Sequence, residues 1–130
     1  FDNRGKKSVV IDTSKPEGQA LIRELVADAD VFLTNVRPGG LTRSGLDYES
    51  LRALNPKLVY CSLTGYGLEG EDADRPGFDI ASFWSRTGVA SLTIPKGAEP
   101  FPLRTAFGDH TTSIAAAAGI CAALVEATRT

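Results

Sequence analysis

The stretch AFGDHTTSIAAAAG (106–119) places Asp109 at the head of an alanine-rich run that reads as a helix. A carboxylate at a helix N-cap is held as its anion by the helix N–H groups and dipole, and the anion is the form that attacks an acyl carbon. The same position has a plainer use. An N-cap Asp contributes about 1 kcal/mol to a helix with no further role, and spacing alone favours that use. His110, the single histidine, follows Asp109 directly, so the two side chains diverge and no Ser-His-Asp arrangement is implied. No group of His, Cys, Asp and Glu has metal-ligand spacing, so no metal is expected.

Two further stretches combine glycine with charge. NVRPGGLTR (35–43) carries Arg37 and Arg43 on either side of Gly39-Gly40, two guanidinium groups and an approachable backbone suited to phosphate oxygens. A solvated Pro-Gly turn accounts for it equally well. GYGLEG (65–70) is a literal GxGxxG after an apolar run, but Glu69, Glu71, Asp72 and Asp74 crowd it and Pro76 follows. A dinucleotide fingerprint opens a helix whose N-terminus meets pyrophosphate, and acids at that place would repel it. Glycines serving turns at positive φ are the better reading, and a non-catalytic nucleotide-binding module is the weaker alternative.

These residues must be positioned by regular elements. KKSVVID (6–12), VFLTN (31–35) and LVYCSL (58–63) are β-rich apolar runs and predict strands. Between the first two, Ser14 and Glu17 have capping-box spacing, and Leu21, Ile22, Leu25 and Val26 recur on one face, predicting a helix over about 15–28. Leu46, Leu51 and Leu54 predict a short helix closed by Asn55-Pro56. The resulting βαβαβ order implies an α/β fold: a Rossmann-like parallel sheet with flanking helices. Ligands in such folds sit at the carboxyl ends of strands, here 35–43 and 64–70. Helix resumes over 79–86, and the last helix presents Ile114, Ala117, Ala118, Cys121 and Leu124 as one stripe.

Composition sets outer bounds. In 130 residues, 42% are hydrophobic and 23% charged, the balance of a single globular core. A net charge of −2 provides no electrostatic footprint for nucleic acid or an anionic membrane. The apolar run near 114–125 is too short for a bilayer span. Cys61 and Cys121 lie in apolar stretches and read as buried free thiols, which suits a cytoplasmic location. The chain begins FDNRGKK without Met and ends ALVEATRT within a helix, so it reads as an internal piece of a longer protein.

The order of these motifs is more specific than any one of them. NRGKKSVVID, then ADVFLTNVRPGGLTRSGLDYESLRALNPKLVYCSLTGYG, then RPGFDIAS, then FGDHTTS before an alanine-rich helix, resembles the class III CoA-transferase family. That family includes formyl-CoA transferase, carnitine CoA-transferases and α-methylacyl-CoA racemase. The resemblance covers essentially the whole chain and is most specific over 29–67. It implies a Rossmann-like large domain of which this chain is an internal part, without the first βα unit, the small domain and a later glycine-rich loop. It also implies two subunits interlocked like linked rings. Asn35, Val36 and Arg43 match positions that contact coenzyme A in the family, with Arg37 between them, and Asp109 matches the catalytic aspartate. The implied reaction is transfer of coenzyme A from an acyl-CoA to an acceptor carboxylic acid through an aspartyl-CoA thioester, with coenzyme A as substrate and carrier.

The same resemblance separates two reactions. Racemases of the family carry a histidine where this chain has Phe78 in RPGFDIAS. Phenylalanine moves no proton, and a placed general base supplies ~10²–10⁴-fold. Transferase chemistry is therefore expected over racemase chemistry. Arg104, in IPKGAEPFPLR, is a candidate partner for an acceptor carboxylate, although a surface arginine is the commoner case.

Overall fold

Two short runs rich in side chains that fit a pleated surface are extended, and they pair with each other. Strand β1 (Val31–Thr34) lies parallel to strand β2 (Val59–Ser62). The structure, a computed structural model, describes residues 3–103 and 105–129, and among these the sheet is two-stranded. Register sets Val31 beside Val59 and Thr34 beside Ser62. Val59 N–H donates to Asp30 O at 3.0 Å and Leu63 N–H to Thr34 O at 2.8 Å, which extends the ladder at both ends. Parallel strands need a crossover. Here it is built from helices α2 (Pro38–Ser44) and α3 (Tyr48–Leu54), while α1 (Pro16–Ala27) precedes β1. The chain is thus α/β with a parallel sheet, as expected, but from one βαβ unit rather than two.

The difference lies in KKSVVID. Residues 6–12 form no strand, and Val9 and Val10 are exposed. An extended segment becomes a strand only when neighbouring backbone satisfies its N–H and C=O groups, and no described strand lies beside this one. The segment ends in a local turn instead. Asp12 Oδ1 accepts from Ser14 Oγ at 2.6 Å and from Ser14 N–H at 3.0 Å, and these two bonds, the hydroxyl's first, hold the Asp12 carboxyl below its usual pKa. With the Ser14 hydroxyl turned to Asp12, the expected capping box does not form. Lys15 is the N-cap without a side-chain bond, and Pro16 opens α1.

The core lies between the helices and the sheet. Val26 from α1, Leu41 from α2, Leu46 from the connection between α2 and α3, and Leu51 from α3 are buried, with Ile22, Phe32, Leu58 and Tyr60 against them. Leu21 and Leu25, expected on the same face, are exposed. Ile22 and Val26 are one helical turn apart and face this core, while their neighbours point about 100° away. Tyr60 joins the layers: its ring packs on Phe32 and Tyr48, and its hydroxyl donates to Leu46 O at 3.0 Å. Burial, and then the charge of Asp47, raises the Tyr60 pKa.

Turn chemistry sets the helix ends. Gly45 takes a φ of 62° to close α2, a conformation that glycine reaches without a Cβ penalty. Asp47 caps α3, its two oxygens accepting from Ser50 N–H at 3.1 Å and Ser50 Oγ at 2.9 Å. Asn55 closes α3 as expected and also ties it to α1, its amide donating to Val26 O at 3.1 Å and Ala29 O at 2.9 Å.

Beyond β2 the chain makes an irregular excursion, a π-helical segment Asp79–Ser85, α4 (Val89–Thr93) and α5 (Phe107–Ala127). The helix expected over 79–86 is present as this wider π form, with Trp84 buried against Phe101. Helix α5 packs on β2 and on the π-helical segment. Its part-buried residues are Ala116, Ile120, Ala123, Leu124 and Ala127, whereas Ile114 is 71% exposed and Cys121 is exposed. The expected stripe is therefore wrong except at Leu124, and Cys121 is not a buried thiol; Cys61 is half-buried. A helix that is apolar on nearly every side specifies no inward face, so its neighbours choose one. By including FGDHTTS, α5 also reaches 21 residues, long and apolar enough by length and composition to cross a bilayer, where the apolar run alone falls short.

In the full-length protein, Asp47→Ala should lower stability by about 1 kcal/mol at neutral pH, read from denaturant unfolding. The Ser50 backbone bond, then its hydroxyl bond, lowers the Asp47 pKa in the folded state. The stabilisation is therefore full above the unfolded value near ~4 and disappears as pH falls through the lower folded value. A wild-type-to-variant difference that stays constant down through that window would contradict the assignment.

Candidate active site

Because β1 and β2 run parallel and in register, the segments that leave Thr34 and Ser62 emerge on one edge. They open into a cleft of about 810 Å³. Asn35, Val36 and Arg37 line it from the first strand end and Leu63, Thr64 and Gly65 from the second. Asp109, at the head of α5, lines the same cleft. Four of the five expected site residues are brought together.

The fifth, Arg43, is not among the lining residues. Most of NVRPGGLTR is helical: Arg37 is the N-cap and Pro38 the first residue of α2. Six residues of helix carry Arg43 about 9 Å along the axis. There it is exposed beside the glycine pair, where a Cβ on Gly39 would lie 3.4 Å from both Arg43 Nη1 and Asp74 Oδ2. Arg37 faces the excursion, Nη1 donating to Asp74 O at 3.1 Å. Its remaining guanidinium donors are available to a ligand.

GYGLEG meets the cleft only through Gly65 and opens no helix. A Cβ on Gly65 would lie 2.7 Å from Gly77 Cα, and one on Gly77 would lie 2.6 Å from Gly65 Cα, so two backbone segments cross where neither has a side chain. Gly67 and Gly70 both have a φ of 93°, the turn role expected of them. Tyr66 lies under the guanidinium groups of Arg75 and Arg86, and Asp72 pairs with both. Those bonds, Arg86's first, hold the Asp72 carboxyl below its usual pKa.

Asp109 is the third residue of α5 rather than its N-cap, which is Ala106. Alanine has no side-chain acceptor, and the open N–H groups of the first turn find other partners. Phe107 N–H donates to Thr105 O at 2.7 Å, and Asp109 N–H donates to Asp79 Oδ1 at 2.9 Å. His110 turns back on its own helix, Nδ1 lying 2.7 Å from Ala106 O, so that nitrogen carries the proton. Phe78 lines the cleft and is largely exposed to it. Arg104 lies outside the described residues.

Asp109 and Asn35–Arg37, expected from the sequence at one site, line the same cleft. Arg75 and the Gly65–Gly77 crossing were not expected to shape the cleft. The crossing has a faint signal, one glycine after the strand and another after Pro76, but nothing in spacing says that they touch.

Comparison with known proteins agrees with the motif order. The family model described as CoA-transferase family III matches residues 1–130. The succinate–glutarate CoA-transferase of Agrobacterium fabrum is 46% identical over 127 residues, covering 98% of this chain and 32% of that protein. The cinnamoyl-CoA:phenyllactate CoA-transferase of Clostridium sporogenes is 40% identical over the whole chain, again covering 32% of the relative. The chain thus spans about a third of the length of these relatives. The crystal structure of a CaiB/BaiF family protein from Brucella suis superposes with a TM-score of 0.88 at 42% identity, covering 96% of this chain and 33% of that one.

Gly65→Ala in the full-length protein should destabilise it by about 1–3 kcal/mol, because the new methyl meets backbone that cannot rotate away. Thermal unfolding measures this, and an unchanged melting temperature would show that the crossing is looser than described.

Proposed function

We propose, for a chain that belongs to CoA-transferase family III, that it forms the CoA-binding part of the large domain of an acyl-CoA:carboxylate CoA-transferase. The observation that carries this reading is that Asp109 and the Asn35–Arg37 turn, remote in sequence, line one cleft at the carboxyl edge of the parallel pair. Arg37 and the backbone around it hold phosphate oxygens of coenzyme A, and the thioester is directed to Asp109. The relatives' names, which pair coenzyme A with carboxylic acids such as succinate and glutarate, support the same substrate class.

In this reading the Asp109 carboxylate attacks the thioester carbonyl of the donor. The C–S bond breaks, leaving a mixed anhydride and the coenzyme A thiolate. The thiolate attacks the Asp109 carbonyl of the anhydride, the donor acid departs as its carboxylate, and an aspartyl-CoA thioester remains. The acceptor carboxylate attacks that thioester, forming a second anhydride and releasing the thiolate. The thiolate then takes the acceptor's acyl group and returns Asp109 to a free carboxylate. No net proton is consumed. The cycle therefore asks for an ionised nucleophile and a held leaving group rather than a general acid–base pair, and a wall that presents Phe78 is compatible with it. Racemisation, which needs a second proton carrier opposite the carboxylate, is not favoured. The working unit is a homodimer in which two complete chains interlock.

The full-length enzyme incubated with succinyl-CoA and quenched during turnover should carry coenzyme A on the peptide containing FGDHTTS. Mass spectrometry detects the adduct, and hydroxylamine should remove it. Asp109→Ala should abolish adduct and turnover while coenzyme A binding stays measurable. Turnover by that variant would refute the mechanism.

A further inference from the structure

We infer that Asp79 is a positioning residue that sets where Asp109 stands in the cleft, acting through the Asp109 backbone N–H. This rests on the reading of Asp109 as the nucleophile. A side chain in the first turn of a helix goes where the backbone of that turn goes, and the first turn of α5 has no cap of its own, since Ala106 provides no side-chain oxygen. Asp79, which opens the π-helical segment in a remote part of the chain, stands in for it. Its Oδ1 accepts the Asp109 N–H at 2.9 Å. A hydrogen bond from a backbone amide to a carboxylate is charge-assisted, about twice as strong as a neutral one.

The approach is close because residue 108 is glycine. Gly108 is buried, and a Cβ there would lie 2.3 Å from Asp79 Oδ1, 2.4 Å from Phe83 Cγ and 2.5 Å from Phe83 Cβ. Two side chains of one segment, Asp79 and Phe83, thus close on the residue immediately before Asp109. Both also line the cleft. The backbone of the nucleophile and one wall of its cleft are therefore joined, and the Asp109 main chain cannot shift along the cleft without breaking the Asp79 bond. Tethering of this kind matters to rate, because a nucleophile misplaced by about 1 Å can lose ~10²-fold.

The test uses the full-length enzyme with succinyl-CoA as donor and glutarate as acceptor, and hydrogen exchange of the Asp109 amide as a readout that needs no turnover. In Asp79→Ala that amide should lose protection, and kcat should fall ~10- to 100-fold while KM and coenzyme A affinity stay near wild type. Asp79→Asn keeps an acceptor oxygen at the same reach, so it should restore both amide protection and most of the rate. If Asp79→Ala does not fold, Asp79→Ser, with a shorter polar arm, replaces it. Unchanged kcat per folded molecule in Asp79→Ala, unchanged amide protection, or equal impairment in Asp79→Asn and Asp79→Ala would overturn the proposal. Asp109→Asn separates the two readings. If it is inactive while Asp79→Ala is normal, only the positioning role falls; if it remains active, the nucleophile assignment falls and the positioning role with it.

Discussion

The parallel, in-register pairing of β1 with β2 is the constraint on which the rest depends. Antiparallel partners would send the segments after Thr34 and Ser62 to opposite edges of the sheet; parallel partners send them to the same edge. The turn out of β1 is made within the ladder itself. Thr34 is buried, its Oγ1 accepts Val36 N–H at 3.1 Å and its carbonyl accepts Leu63 N–H at 2.8 Å. The chain is thus bent into α2 while β2 is still being paired. The position of Asn35, Val36 and Arg37 is a consequence of sheet geometry.

The opposite wall is assembled differently. The excursion after β2 has little apolar material to bury, and it is held by polar contacts and by a backbone crossing. The pairs of Asp72 with Arg75 and Arg86 are largely exposed, with the arginine side chains 61% and 58% accessible, and exposed ion pairs stabilise little. Their stacking on Tyr66 and the bond from Arg37 to Asp74 O add local order. The firmest element is the approach of Gly65 to Gly77, because main chain cannot change rotamer. A cleft with one wall set by a β-ladder and the other by glycine contacts keeps its shape without a large core beneath it.

Helix α5 joins the two. It packs on β2, its part-buried residues being mostly alanines with Ile120 and Leu124, and on the π-helical segment near its start. Small side chains let it approach closely. Local insertions such as the π-helical turn occur frequently at functional sites, where a widened turn re-aims side chains. Here the segment directs Asp79 and Phe83 to the head of a different helix.

Much was legible without coordinates. The alternation of β-rich runs and amphipathic helices determined an α/β chain with parallel strands, the order of motifs determined the family, and the α/β order pointed to the carboxyl ends of strands for a candidate site. Local signals of this kind survive because they are written in adjacent residues: period, caps and turn glycines. What required tertiary structure was everything that depends on a partner remote in sequence. Residues 6–12 have the composition of a strand but, among the described residues, no neighbouring strand to complete one. The inward face of α5 was decided by β2 and not by its own uniform apolarity. Arg43 lies in α2 and not among the cleft-lining residues, and the Asp109 amide is held by Asp79. Propensity is a property of a segment, whereas a hydrogen bond or a packed face belongs to two, and only the folded chain says which two meet.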